Sequence, residues 1–217
     1  AFAPGVRGEL VYDDRLLIGR NPLITDLSNL PRLFVSGYWD FLGDKSRFVG
    51  YWRPLTAIVQ ALLWPIAHSA PLPYHVASIA IHMGATAAAF FLVRSLTASA
   101  WLAGAAALLF GLHPAHVESV AWISALNDPL FGCLALLALE RFVAWRGRGS
   151  RGVPIVATLA FGLALLAKEL GAALVPLLVI VDVLRPRAPG EPELVLELPE
   201  RAPRRLREAL SAFRVPL

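Results

Sequence analysis

The fold class that the sequence predicts is all-α and membrane-embedded: a polytopic integral membrane bundle preceded by a loop containing short helices. Two observations carry this expectation. Hydrophobic residues make up 57% of the 217 positions and charged ones only 17%, against roughly 45–50% and 25% in an average soluble domain. The apolar residues are also grouped, in runs at 74–96, 99–113, 129–145 and 153–184 with short polar or Pro/Gly-rich connections between them. A soluble amphipathic helix would instead show a stripe repeating about every 3.6 residues. Helices that are apolar all round need an apolar surround.

Residues 1–53 mix acids (Asp13, Asp14, Asp26, Asp40, Asp44) with aromatics (Tyr12, Phe34, Tyr38, Trp39, Tyr51, Trp52) and carry turn signals at Asn21-Pro22 and Thr25-Asp26. They read as a folded loop outside the bilayer. Segment 54–73 opens with an apolar stretch, 54–68, that is too short to span and is flanked by Trp52 and Trp64. An interfacial or re-entrant helix is expected there.

Residues 74–184 read as a transmembrane bundle of about five spans, with 153–184 divided by Lys168-Glu169 into 153–167 and 170–184. If 54–68 does not cross, Arg94, the cluster from Arg146 to Arg151, and Arg185 with Arg187 all fall on the inner side, as the positive-inside rule requires. The same choice puts residues 1–53, the stretch from His113 to Asp128, and Lys168-Glu169 on the outer side. Residues 185–217 then form a basic cytoplasmic tail or linker, with an amphipathic stretch from Arg201 to Phe213. The chain opens at Ala1 with no signal peptide ahead of its polar loop, so a further helix upstream and further sequence downstream are expected.

The net charge of +4 and a pI near 9.7 do not point to nucleic acid, because the arginines gather in loops and tail, where membrane topology explains them. The single cysteine, Cys133, lies in an apolar run and offers neither a disulfide framework nor metal-thiolate spacing.

The predicted outer face collects Asp13, Asp14, Arg53, His113, His116, Glu118, Asp128, Lys168 and Glu169. Adjacent acids such as Asp13-Asp14 serve either as a solvated turn or as a general base, one carboxylate raising the pKa of the other. His113-Pro-Ala-His116-Val-Glu118 reads as the polar end of a membrane helix or as imidazoles that donate to phosphate oxygens. Its spacing does not demonstrate a metal site. Lys168-Glu169 interrupts the largely apolar 32-residue run 153–184, a costly placement that marks a functional site, with Lys168 as a point charge for phosphate. Arg53, ahead of Pro54, suits a bidentate grip on phosphate or a plain interfacial anchor.

These motifs, in order, are Val11-Tyr12-Asp13-Asp14, Asn21-Pro22-Leu23, Tyr51-Trp52-Arg53-Pro54-Leu55-Thr56, Tyr74-His75, the run from His113 to Ser124, Asp128 and Lys168-Glu169. Together they resemble the transmembrane and tetratricopeptide-repeat-containing O-mannosyltransferases and their bacterial relatives, in the C-type (GT-C) glycosyltransferase superfamily. The resemblance covers about residues 9–184. It departs at Ala125-Leu126-Asn127, where relatives commonly have Gly-Arg before the Asp.

The resemblance implies an inverting enzyme that moves a mannose-like sugar from a polyprenyl-phosphate donor to a hydroxyl acceptor, often on protein, at the outer side of a membrane. It implies Asp13 as catalytic base with Asp14 assisting at the acceptor, and Arg53, Lys168, His113 and His116 as donor-phosphate ligands supported by Glu118, Asp128 and Glu169. No cofactor is firmly implied beyond the lipid-linked sugar, and a divalent ion is compatible without being required. The rival readings are a transporter or flippase for a lipid-linked or anionic substrate and a non-catalytic membrane scaffold.

Overall fold

The computed structural model describes residues 2–46, 50–149 and 152–184, and the element order is helical throughout, with no strand among the described residues. The expected basic tail at 185–217, its amphipathic stretch, and Arg151 of the inner cluster lie outside the described residues. Among the described residues nine α-helices follow one another: α1 Asp14–Leu17, α2 Leu30–Leu33, α3 Pro54–Ala67, α4 Pro71–Thr97, α5 Ala100–Leu112, α6 Val117–Ala121, α7 Asn127–Gly147, α8 Ile155–Ala167 and α9 Leu174–Leu184. The protein is an all-α membrane protein.

Helix α4 runs 27 residues, three more at its start than the apolar run alone predicts, because Pro71 occupies the first helical position where its missing N–H costs nothing. It ends at Ala98, in the left-handed region at φ 54°, with Arg94 donating to the Ala98 carbonyl. Helix α4 and the stretch Ile123–Gly147 are each long and apolar enough to cross a membrane. Helix α5 makes a third candidate with the segment Pro114–Ala121, the two meeting at 45°.

Helix α8 is shorter than a crossing, and α9 is described as far as Leu184. Helix α8 has 13 residues, about 20 Å at ~1.5 Å per residue, against a hydrocarbon core of ~30 Å. The start of 170–184 folds instead as a 3₁₀ turn, Glu169–Ala173, leaving 11 residues for α9. Gly171 allows that turn to lie back on α8, since a Cβ there would stand 2.8 Å from the Leu165 Cα.

Small residues bring the long helices together. Helix α4 packs along α5 and α7, and α7 along α8. The buried faces are Ala85, Ala88 and Ala89 on α4, Ala135 and Ala138 on α7, and Ala157, Ala160, Ala164 and Ala167 on α8, the packing expected where lipid removes any hydrophobic drive for association. At the far end of the bundle Arg146 forks onto Asp182 (2.7 and 3.1 Å), tying α7 to α9, and the buried Glu140 pairs with Arg141.

The front loop is part of the fold. Leu17, Ile18, Ile24, Leu33 and Tyr38 are buried against Ala57, Ala61 and Ala67 of α3, with Tyr74 and Ile123 beside them. Asn21 caps its own turn, accepting from Leu23 N at 3.0 Å, and Asp26 accepts from Ser28 N at 2.8 Å. That bond holds the Asp26 carboxyl below its usual range.

Candidate active site

The site is built where the front loop meets the starts of α3 and α7 and the end of α8. Asp13 and Asp14 are neighbours with different surroundings. Asp14 is fully buried, and its carboxylate accepts from Val11 N (3.2 Å), Ser124 N (2.7 Å) and Ser124 Oγ (2.5 Å). It is a tie between the loop and the segment following α6, with no surface left to meet an acceptor. Asp13 is half-buried, and its carboxylate makes no hydrogen bond or ion pair among the described residues. Tyr12, just before it, is held at φ 46° with 85% of its surface exposed, a backbone region that costs an L-residue roughly 1–2 kcal/mol.

Arg53 sits at the N-cap of α3. Its guanidinium lies 4.3 Å from the centre of the Tyr51 ring and 5.9 Å from that of Tyr38, and it forks onto Glu169 through Nη2 (2.8 Å) and Nε (3.2 Å). This pair holds the Glu169 carboxyl below its ordinary value. Tyr38 is buried, with Gln60 Nε2 donating to its hydroxyl at 3.0 Å, and burial pushes its phenol pKa up, keeping it protonated; Arg53, Asp13 and Asp14 are all within electrostatic reach of it. One step along the chain from Glu169, the Lys168 ammonium pairs with Asp128, which also accepts from Asn127 Nδ2 at 2.9 Å.

The extended backbone at Lys168 (φ −157°, ψ 139°) lets these adjacent side chains reach different helices. Thr56 anchors the arrangement by donating to the Ala167 carbonyl at 3.1 Å. The pairs Arg53–Glu169 and Lys168–Asp128 thus join charges from distant parts of the sequence, and Arg53, Asp13 and Asp14 share the surroundings of Tyr38.

The histidines gather elsewhere. His116 lies 5.0 Å from His82 and 6.2 Å from His113 between ring centres, and packs on Phe110 at 4.7 Å. His113 Nδ1 accepts from Ala115 N at 3.2 Å, capping the turn between α5 and α6, and Glu118 is exposed on α6. The structure therefore joins His113 and His116 to α4 and α5 through His82, separately from Arg53 and Lys168. Among the described residues no group of three or more His, Cys, Asp or Glu side chains is placed to hold a metal ion.

Sequence reasoning missed Ser124, Tyr38, Tyr51, Gln60 and Thr56. Tyr51 and Thr56 flank Arg53 in sequence and Ser124 closes the run from His113, which were usable signals, but nothing in the spacing pairs Ser124 with Asp14, 110 positions away.

Known proteins carry the same stretch. The chain is 35% identical over 180 residues to "Protein O-mannosyl-transferase Tmtc1" of Drosophila melanogaster, covering 81% of this chain and 20% of that protein. It is 33% identical over 183 residues to "Protein O-mannosyl-transferase Tmtc2" of the same fly, again over 81% of this chain, and 27% identical over 180 residues to human "Protein O-mannosyl-transferase TMTC2". Over this shared stretch the chain resembles the Tmtc proteins. It spans about one fifth of the length of these relatives. No family model matches the chain, and no solved structure matches it.

Proposed function

We propose that this chain carries the donor-binding and catalytic part of a protein O-mannosyltransferase, one that takes the sugar from a polyprenyl phosphate at the outer side of a membrane. The observation that carries the reading is the division of labour between neighbouring acids: Asp14 is spent on three hydrogen bonds, and Asp13 is left half-buried without a partner among the described residues, within electrostatic reach of Tyr38 as Arg53 is. The names of the relatives supply the sugar and the acceptor class.

In this reaction the Asp13 carboxylate takes the proton of an acceptor hydroxyl as its oxygen bonds to the anomeric carbon. The bond to the phosphate oxygen breaks on the opposite face, so configuration inverts. Polyprenyl phosphate leaves with the electron pair, and Arg53 and Lys168 stabilise the charge that collects on it. Arg53 offers a planar fork and Lys168 a point charge, two complementary ways to meet phosphate oxygens. The clamp is built here from these two cations, and the histidines enter only as a further contact to the same donor. The test is transfer of labelled mannose from polyprenyl-phosphate-mannose in membranes carrying the full chain, with Arg53→Ala and Lys168→Ala expected to lose it. Full activity in both would remove the clamp from the account.

A further inference from the structure

In both ion pairs of the site the carboxylate is the more exposed partner. Glu169 has 48% of its side chain exposed against 13% for Arg53, and Asp128 has 35% against 22% for Lys168. The Arg53 guanidinium is pinned against the Tyr51 ring, and the N–H edge formed by Nε and Nη2 is filled by the two Glu169 oxygens. An anion that uses this edge has to move Glu169 aside. A carboxylate and a phosphate present nearly the same pair of oxygens to an arginine fork, so Glu169 occupies the position a phosphate would take.

We infer that Glu169, seconded by Asp128, is a specificity-determining place-holder on the phosphate clamp, which weakens the hold on the doubly charged phosphate product more than on the singly charged donor. This rests on the reading of Arg53 and Lys168 as the clamp. A sugar phosphodiester carries one negative charge, whereas the phosphomonoester released from it approaches two at neutral pH. A fixed carboxylate repels in proportion to the charge it faces, so the penalty on the product is about twice that on the donor. With both carboxylates in place the product departs readily and the cations return to their internal partners.

The experiment uses membranes carrying the full chain, as wild type, Glu169→Gln and Asp128→Asn. It reads transfer kinetics, inhibition by added polyprenyl phosphate, and direct binding of polyprenyl phosphate to the solubilised chain. The neutral glutamine should lower the inhibition constant roughly fivefold, the size of one partly exposed ion pair, lower the donor KM by less, and reduce kcat as product release slows. Asp128→Asn should move in the same direction, which keeps the test intact if one variant fails to fold. An inhibition constant that is unchanged or raised in both variants, with transfer still measurable in wild type, overturns the place-holder and leaves the transferase reading standing. Wild-type membranes without transfer, in which the variants still bind polyprenyl phosphate more tightly, would sink the transferase and support the place-holder. Equal binding by all three chains would overturn it.

Discussion

Replacing Asp14 removes the tie that sets the position of Asp13. The carboxylate is fully buried and accepts two backbone N–H groups and one hydroxyl. In Asp14→Ala the two N–H groups lose their acceptor in a site closed to water, and an unsatisfied buried group costs about 1–3 kcal/mol. The loss should total about 3 kcal/mol, which for a chain of this size lowers the melting midpoint by roughly 6–12 °C. Ser124→Ala removes only the hydroxyl donor and should cost about 1.5 kcal/mol, a hydrogen bond to a charged group at the low end. The assay is thermal unfolding of the solubilised chain, run as a double-mutant cycle on Asp14 and Ser124. Because the two side chains share one bond, the double variant should lose less than the two single losses added together. An Asp14→Ala variant within about 0.5 kcal/mol of wild type, the spread of an ordinary surface substitution, would refute the buried tie.

Arg53→Lys keeps the charge but gives up the fork on Glu169 and the packing on Tyr51, so transfer should fall at least about tenfold; rates within twofold of wild type would show that charge alone suffices there. Asp182→Asn at the far end of the bundle should destabilise the chain by about 3 kcal/mol by stripping Arg146 of a buried partner, seen as a lower unfolding midpoint with the donor KM unchanged. The pair of Arg53 with Glu169 sets an acid limit. Because the Glu169 carboxyl is held below its ordinary value of 4.5, its contribution to stability is fully present above pH 4.5 and disappears as pH falls through the lower folded value. Glu169→Gln should therefore lower stability near neutrality, where this contribution is present, and flatten the acid side so that the two profiles converge at low pH.

What the sequence made legible was the chemistry of single residues and the grouping of apolar runs. The long helix α4, the turn at Asn21 and the break at Lys168-Glu169 follow from proline at a helix start, an Asn side chain that caps its own turn, and charges that apolar segments exclude. Pairing was not legible. Nothing in the spacing says that Lys168 reaches Asp128 while Glu169 reaches Arg53, or that Asp14 faces Ser124, because these contacts depend on how α3, α7 and α8 pack through alanine faces. The two acids of Asp13-Asp14 are interchangeable on paper; only burial separates them. Within the apolar run 153–184, a 3₁₀ turn at Glu169–Ala173 follows the charged pair, with Gly171 allowing the close approach to α8. Glu140 and Asp182 interrupt apolar runs just as Lys168 does, and the structure pairs each with an arginine, Arg141 and Arg146.

The most direct test of the central claim is mannose transfer from polyprenyl-phosphate-mannose by membranes carrying the full chain with Asp13→Asn, beside the wild type. The variant has nearly the shape of the original and leaves the hydrogen bonds of Asp14 in place, so it should insert and unfold like wild type while transfer falls by about 10²-fold or more, the usual contribution of a general base. Transfer by Asp13→Asn at the wild-type rate would contradict the assignment of Asp13 as the base.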